Sequence, residues 1–150
     1  MKGYIMKIEE ILAHAEKDLK IDDTELDRES LRIPQLHNKY LVLLTNEKFT
    51  LKNLEIEYNK MNRLKWEYYT GKMDQEELKA RNWQPFQLRI LKQDIDIYMN
   101  SDDDLNKIKL NIDYQKEKVN YLESILKGIM NRHWQIRSAI DWRKFTNGVD

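Results

Sequence analysis

The sequence contains no cysteine, which removes a disulfide framework, a thiolate zinc site and a cysteine nucleophile, and fits a reducing compartment. It has only four glycines and two prolines in 150 residues, about 4% against a usual ~12%, too few turn-formers for an all-β sandwich or barrel. With so little glycine a phosphate-cradling loop can hardly be built, and no GxxxxGK, GxGxxG or GxSxG occurs. Charge of one sign is missing too. Lys plus Arg and Asp plus Glu both number 26, so no net field attracts polyanions and any nucleic-acid site has to be a local patch. No run of ~18 apolar residues is present, and Glu9, Glu10 and Glu16 interrupt the N-terminus where a signal peptide needs an apolar stretch. The chain therefore reads as soluble, not exported, and without a membrane partner.

What is abundant is charge, 35% of residues, beside an apolar set of 41%. That is the balance of helices with one apolar stripe and solvated flanks. The fold class expected is all-α, with long antiparallel helices in a single helical domain over residues 1–150. Its parts are an acidic N-terminal helical region (1–33), a central helix with a charged patch (34–100) and a C-terminal assembly helix (101–150). Ile5, Ile8, Ile11, Leu12, Ala15 and Leu19 space a first helix over about residues 5–19. Thr24 with Asp27 reads as a capping box for a short piece that Pro34 closes before opening the next helix at its first position. Leu36, Tyr40, Leu43, Leu51, Leu54, Tyr58 and Met61 then carry one long helix to Gly71, its left-handed cap. Asp74 is the expected N-cap of a short turn of helix, with Glu77 as box partner. Residues 86–99 permit helix or strand, and helix is favoured.

Ser101 ahead of Asp102, Asp103 and Asp104 marks a helix start, with a hydroxyl cap and acids where the helix dipole favours them. Leu105, Ile108, Ile112, Gln115, Val119, Leu122, Leu126, Ile129, His133, Ile136, Ile140 and Arg143 follow in unbroken three-four alternation. Two helices this long suggest seams satisfied partly by other subunits, and so a homo-oligomer. Leu122, Leu126, Ile129, Ile136 and Ile140 are its expected seam, with Trp134 and Trp142 as anchors between chains. Near those anchors lies a cationic aromatic cluster of Arg132, His133, Arg137, Arg143, Lys144 and Phe145.

Catalytic signals are sparse. His14, His37 and His133 show no HxxxH or HExxH spacing, and the Asp102 to Asp104 run lacks the glycine and closing glutamate of a calcium loop. No catalytic residue, metal ligand or cofactor is expected, and the chain reads as no enzyme. One segment combines cations with rings. Residues 60–92 hold Lys60, Arg63, Lys65, Lys72, Lys79, Arg81, Arg89 and Lys92 against four acids, and Trp66, Tyr68, Tyr69, Trp83 and Phe86 are interleaved. Single strands are held by cations tracking phosphates and rings stacking on bases. Lys65, Tyr68, Tyr69 and Lys72 share one helical stripe, while Arg63 lies about 200° around from Lys65. The candidate nucleic-acid-binding set is Lys60, Arg63, Lys65, Tyr68, Tyr69 and Lys72; Tyr68 as a continuation of the Tyr58 and Met61 seam is the competing reading.

RLKWEYYTG (63–71) resembles the K-A-R-L-(D/E)-Y-Y-(S/T)-G segment of the UvsY family, recombination mediators of tailed phages. YQKEKVNYLESILKGIMNRHWQIRSAIDWRKFTNG (114–148) is similar to the C-terminal region of many members, and the two stretches cover 44 residues. The resemblance implies single-stranded DNA binding and loading of the RecA-like recombinase UvsX in place of single-strand DNA-binding protein. It also implies rings of six or seven protomers assembled through the C-terminal part, in the cytoplasm of the infected host cell. Carried over by position, the family's DNA-contacting Lys and Arg fall on Arg63 and Lys65. The competing functions are a structural coiled-coil assembly protein without nucleic-acid binding, and a metal-dependent nuclease using Asp94, Asp96 and Glu77.

Overall fold

The computed structural model of the chain describes residues 6–148. Among them no strand occurs, and the all-α expectation holds. In order come α1 (Ile8–Asp18), α2 (Leu26–Tyr69), α3 (Gln75–Arg81), a 3-10 turn (Lys92–Asp94), α4 (Ile95–Asn100), α5 (Asp103–Met130) and α6 (Arg132–Thr146). The chain divides into two compact units, one built from residues up to Lys48 with those from Glu117 onward, the other from residues 49–116. No described helix is long and apolar enough to cross a membrane.

In the first unit α1 buries Ile11 and Ala15; the expected start at Ile5 lies outside the described residues. Thr24 does not form the expected capping box. Its backbone N–H and hydroxyl both donate to Asp22 Oδ1, hydrogen bonds that hold the Asp22 carboxyl below its usual range. Pro34 does not close a helix either, because α2 runs straight through it for 44 residues, about 66 Å at 1.5 Å each. An internal proline costs about 3 kcal/mol in a helix. Here burial of Leu26 before it and of Leu36 and Tyr40 after it, with Arg32 bonded to the carbonyl of Asp18, holds both sides in place.

The expected single C-terminal helix is broken at Asn131 into α5 and α6. The break serves Arg132, which is almost fully buried and donates to the carbonyls of Leu19 and Lys20 and to Glu29 Oε2 at 2.9, 3.0 and 2.7 Å. Its guanidinium thus satisfies carbonyls just past α1 that have no helical partner. Arg132 takes the seam position expected for His133, which is exposed with its ring nitrogen on Met130 O. Buried Lys118 pairs with Glu47 at 3.0 Å. Because Glu29 pairs with Arg132 and Glu47 with Lys118, numbering rises along α2 as it falls along its partners, so the helices of this unit are antiparallel.

Leu122, Leu126, Ile129 and Ile136 are buried within the single chain. The expectation that these four wait for another subunit is corrected: the chain's own fold already covers them. Trp134, Ile140 and Trp142 differ, at 58%, 37% and 65% exposed.

In the second unit α5 starts opposite the end of α2. Ile95, Met99 and Leu105 form the core, with Tyr58, Met61, Tyr69 and Ile90 packed on it. Gly71 ends α2 as expected, at φ 73°, with Gly71 N–H on Tyr68 O and Lys72 N–H on Glu67 O, the paired bonds of a Schellman cap. Asp74 caps α3 by accepting from Glu77 N–H, while the Glu77 side chain turns to Arg81 instead of completing a box. Asn82 repeats the left-handed cap at φ 57°. Residues 83–91 are then neither helix nor strand, so the helix expected over 86–99 is confined to α4 and the turn before it. Pro85 and exposed Leu88 and Leu91 give that segment no apolar stripe to bury. The cap of α5 also moves by one residue. Asp102 Oδ1 accepts from Leu105 N–H, while the Ser101 hydroxyl bonds back to Ile97 O and finishes α4.

Candidate nucleic-acid interface

The last three turns of α2 carry the expected patch, and helical phase sorts it. Tyr58, Met61, Lys65 and Tyr68 follow one another at three or four residues, so Lys65 falls on the inward face. It is 6% exposed. Its Nζ lies 3.1 Å from Asp102 Oδ2 and 2.8 Å from Asp104 Oδ2, and 4.1 Å from the centroid of the Trp83 ring. The left-handed cap at Asn82 is what brings Trp83 over it, with Trp83 N–H bonded to Leu78 O. Lys65 as a free DNA-contacting cation is therefore corrected. Two carboxylates already neutralise it, and they hold its ammonium above the ordinary range although burial works the other way.

Tyr69 belongs to the same cluster, its hydroxyl donating to Asp102 Oδ2 at 2.6 Å. Burial and that bond to an anion push the phenol well above its usual value. Burial alone would raise Asp102, but bonds from Tyr69, Leu105 N–H and Lys65 outweigh it and hold the carboxyl below its usual range. Tyr68 donates to Gln84 O at 2.5 Å, fixing residues 83–91 against α2. Around these two tyrosines the rings interlock, edge to face except for the tilted Tyr68 and Phe86 pair. Phe86 stands 5.7 Å from Tyr68, 5.0 Å from Tyr69 and 5.5 Å from Tyr98, and Trp83 is 5.4 Å from Tyr68. Such ring pairs are worth roughly 0.5–1.5 kcal/mol each beyond area burial.

Lys60, Arg63 and Lys72 are the expected site residues that face solvent. Arg63 is 74% exposed in its side chain and reaches Glu67 only at 3.8 Å, a separation at which an exposed pair contributes little. Lys72 sits 4.3 Å over the face of Trp66, which is itself 39% exposed, so one cation and one ring are presented together. The structure thus splits the expected set into three solvent-facing cations and the inward group Lys65, Tyr68 and Tyr69. The strand no longer has to wrap the helix end to meet Arg63 and Lys65 together. The roles of Trp83, Asp102 and Asp104 were missed by the sequence reading. Its only signal for them was the seam phase of Lys65, which calls for a buried counter-charge.

Among the described residues no group of three or more His, Cys, Asp or Glu side chains could hold a metal ion. Asp94, Asp96 and Glu77, proposed for nuclease chemistry, are not gathered into such a group.

Residues 14–149 match the family described as UvsY, recombination, repair and ssDNA binding protein. The recombination protein uvsY of Enterobacteria phage T4 is 22% identical over 143 residues, covering 95% of this chain and 99% of that protein. Two crystal structures of the bacteriophage T4 recombination mediator protein UvsY align with TM-scores of 0.82 each. They are 22% and 21% identical, covering 95% and 93% of this chain and 99% of each of those chains. That structural likeness is one of fold. Because the family match takes in both units and nearly the whole sequence, this chain belongs to the UvsY family of recombination, repair and single-stranded-DNA-binding proteins.

Proposed function

We propose that this chain is a recombination mediator that holds single-stranded DNA on Lys60, Arg63 and Lys72 and promotes loading of the RecA-like recombinase UvsX in place of single-strand DNA-binding protein. The observation that carries the reading is the end of α2, where exposed cations stand beside an exposed tryptophan on a rigid aromatic base. Phosphates meet cations whose charge is not spent on close carboxylates, and bases have a ring to stack on. No bond is made or broken; the strand is held while one protein leaves and another arrives, in the host cytoplasm.

Tight binding on this reading comes from repetition in a ring of six or seven protomers, since effective concentration turns weak single sites into a strong array. α6 supports assembly through residues other than the buried seam. Trp134, Trp142 and Phe145 are 58%, 65% and 77% exposed, and the Trp142 and Phe145 rings lie 5.9 Å apart. Aromatic side chains left in solvent are characteristic interface anchors.

The test is a titration of a labelled oligonucleotide at two salt concentrations, with the oligomer mass measured alongside. Arg63→Ala should weaken binding and shallow the dependence on log salt by about 0.7 for each phosphate no longer neutralised, with mass and stability unchanged. A well-assembled protein that binds no single strand would instead leave a structural assembly role.

A further inference from the structure

Between the end of α2 and the loop that follows α3 lies a cleft of about 590 Å3, lined by Tyr69, Gly71, Phe86, Gln87, Arg89 and Lys92 among others. That volume falls within the ~300–1,000 Å3 of small-ligand sites. We propose that this cleft takes one nucleotide of the bound single strand, its base against Phe86 and Tyr69 and its phosphate on Arg89 and Lys92. The inference rests on the single-strand-binding reading above and adds a subsite to it.

Four observations carry it. First, the ring wall is rigid. Phe86 is braced edge to face by Tyr69 and Tyr98, and Tyr69 is pinned through its hydroxyl to Asp102. Little ordering is therefore left for a base to cause when it enters, which favours stacking. Second, Arg89 and Lys92 are exposed and, among the described residues, have no carboxylate within ion-pair distance. Arg81, by contrast, is committed to Glu77 and Lys65 to two aspartates. No acid lies between Glu77 and Asp94 in the sequence, and neither of those two lines the cleft. Third, the backbone groups from Phe86 to Ile90 take part in no backbone hydrogen bond among the described residues. They are open to the edge of a base, whose donors and acceptors vary too much for any one side chain to suit. Fourth, Gly71 at φ 73° has no atom within 4 Å of where a Cβ would stand, so the rim is open beside Lys72, which already faces solvent.

A docked peptide is the competing occupant, because Leu88 and Leu91 are 61% and 64% exposed. Two cations around a ring-lined floor, in a cleft lined by no acid, favour the polyanion.

Arg89→Ala combined with Lys92→Ala tests the proposal in the full-length protein, since neither residue braces the fold. Titration of a fluorescent oligothymidylate at two salt concentrations should show affinity down about 3- to 30-fold. The slope against log salt should be shallower by about 0.7 per protomer engaged, for the one phosphate that the two cations share. In parallel, the unmodified protein is crosslinked by ultraviolet light to an oligonucleotide carrying bromodeoxyuridine, digested, and mapped by mass spectrometry. A crosslink within residues 82–89, the peptide containing Phe86, supports the subsite. Unchanged affinity together with crosslinks confined to residues 60–72 would overturn it, leaving the cleft to a peptide and the Lys60, Arg63 and Lys72 site intact. Absence of strand binding by the unmodified protein is a different result. It removes the single-strand reading itself, and the subsite with it.

Discussion

Each unit of the protein contains a carboxylate held by a lysine and a tyrosine of α2, and the two differ above all in how far the lysine is withdrawn from water. In the first, Asp18 Oδ2 accepts from Lys39 Nζ at 2.5 Å and from the Tyr40 hydroxyl at 2.9 Å. In the second, Asp102 Oδ2 accepts from Lys65 at 3.1 Å and from Tyr69 at 2.6 Å. Lys39 keeps 42% of its side chain in water, whereas Lys65 keeps 8%. The same three groups therefore make a surface pair in one place and a buried strut in the other. A lysine surrounded by other cations and rings in sequence is thus no evidence of a binding surface until its helical phase is known. Burial also changes what each pair is worth. An exposed pair is screened and contributes up to about 1 kcal/mol, whereas removing one partner of a buried pair strands the other and costs about 3–5 kcal/mol.

The largest effect expected from this contrast is that of Lys65→Ala. It leaves Asp102 buried with only Tyr69 and Leu105 N–H, and removes the cation from beneath Trp83. We expect a loss of about 3 kcal/mol, at the lower end of the buried range because those two bonds remain. Urea unfolding followed by tryptophan fluorescence and by helical circular dichroism measures it. Arg63→Ala, two residues earlier on the exposed face, should change stability by no more than about 0.5 kcal/mol. If Lys65→Ala unfolds at the parent's midpoint yet loses its DNA affinity, Lys65 is reachable by a strand in solution and the comparison of the two pairs breaks.

Acid provides the next, smaller effect and acts on both pairs. Hydrogen bonds hold the Asp18 and Asp102 carboxyls below their usual range despite burial. Each folded value lies under the unfolded one of about 3.9. The stabilisation is therefore complete above the unfolded value and is lost as pH falls through the folded one. Stability should be flat near neutrality and fall below about pH 4. Asp102→Asn should flatten part of that fall and Asp18→Asn another part. The two should add, because the residues share no partner and belong to different units. An acid limb unchanged in the double variant would mean that other carboxylates govern it.

Legibility followed the period of each helix. Long three-four alternation made α2 and α5 plain, and the caps at Gly71 and Asp74 were read from residue chemistry that admits few alternatives. Pro34 misled because tertiary burial on both sides outweighs a local penalty that sequence rules treat as decisive. Asn131 hid its break because the residue that profits, Arg132, bonds to carbonyls more than a hundred positions away. In the candidate site, Arg63, Lys60 and Lys72 were legible as cations because no close carboxylate changes them. Lys65 was not, since its counter-charges arrive from Asp102 and Asp104 across a loop. The phase with Tyr58 and Met61 was a readable warning that the charge pattern overrode.

The smallest effect belongs to Lys39→Ala, and it closes the comparison from the other side. Asp18 keeps the hydroxyl of Tyr40, which is fully buried and cannot turn away, so the carboxylate is not orphaned when the lysine goes. Lys39 itself returns to water at little expense. The loss should be below about 1 kcal/mol at low salt. Screening should erase it by about 1 M salt, where the Debye length is about 3 Å, whereas the loss from Lys65→Ala should persist because Lys65 and Asp102 are both buried and a buried pair is screened much less. Urea unfolding of both variants at two salt concentrations checks this in one experiment. A Lys39→Ala loss as large and as salt-resistant as that of Lys65→Ala would show that exposure does not separate the two pairs. The buried-strut account of Lys65 would then have to rest on Asp104, the second carboxylate that Lys39 lacks.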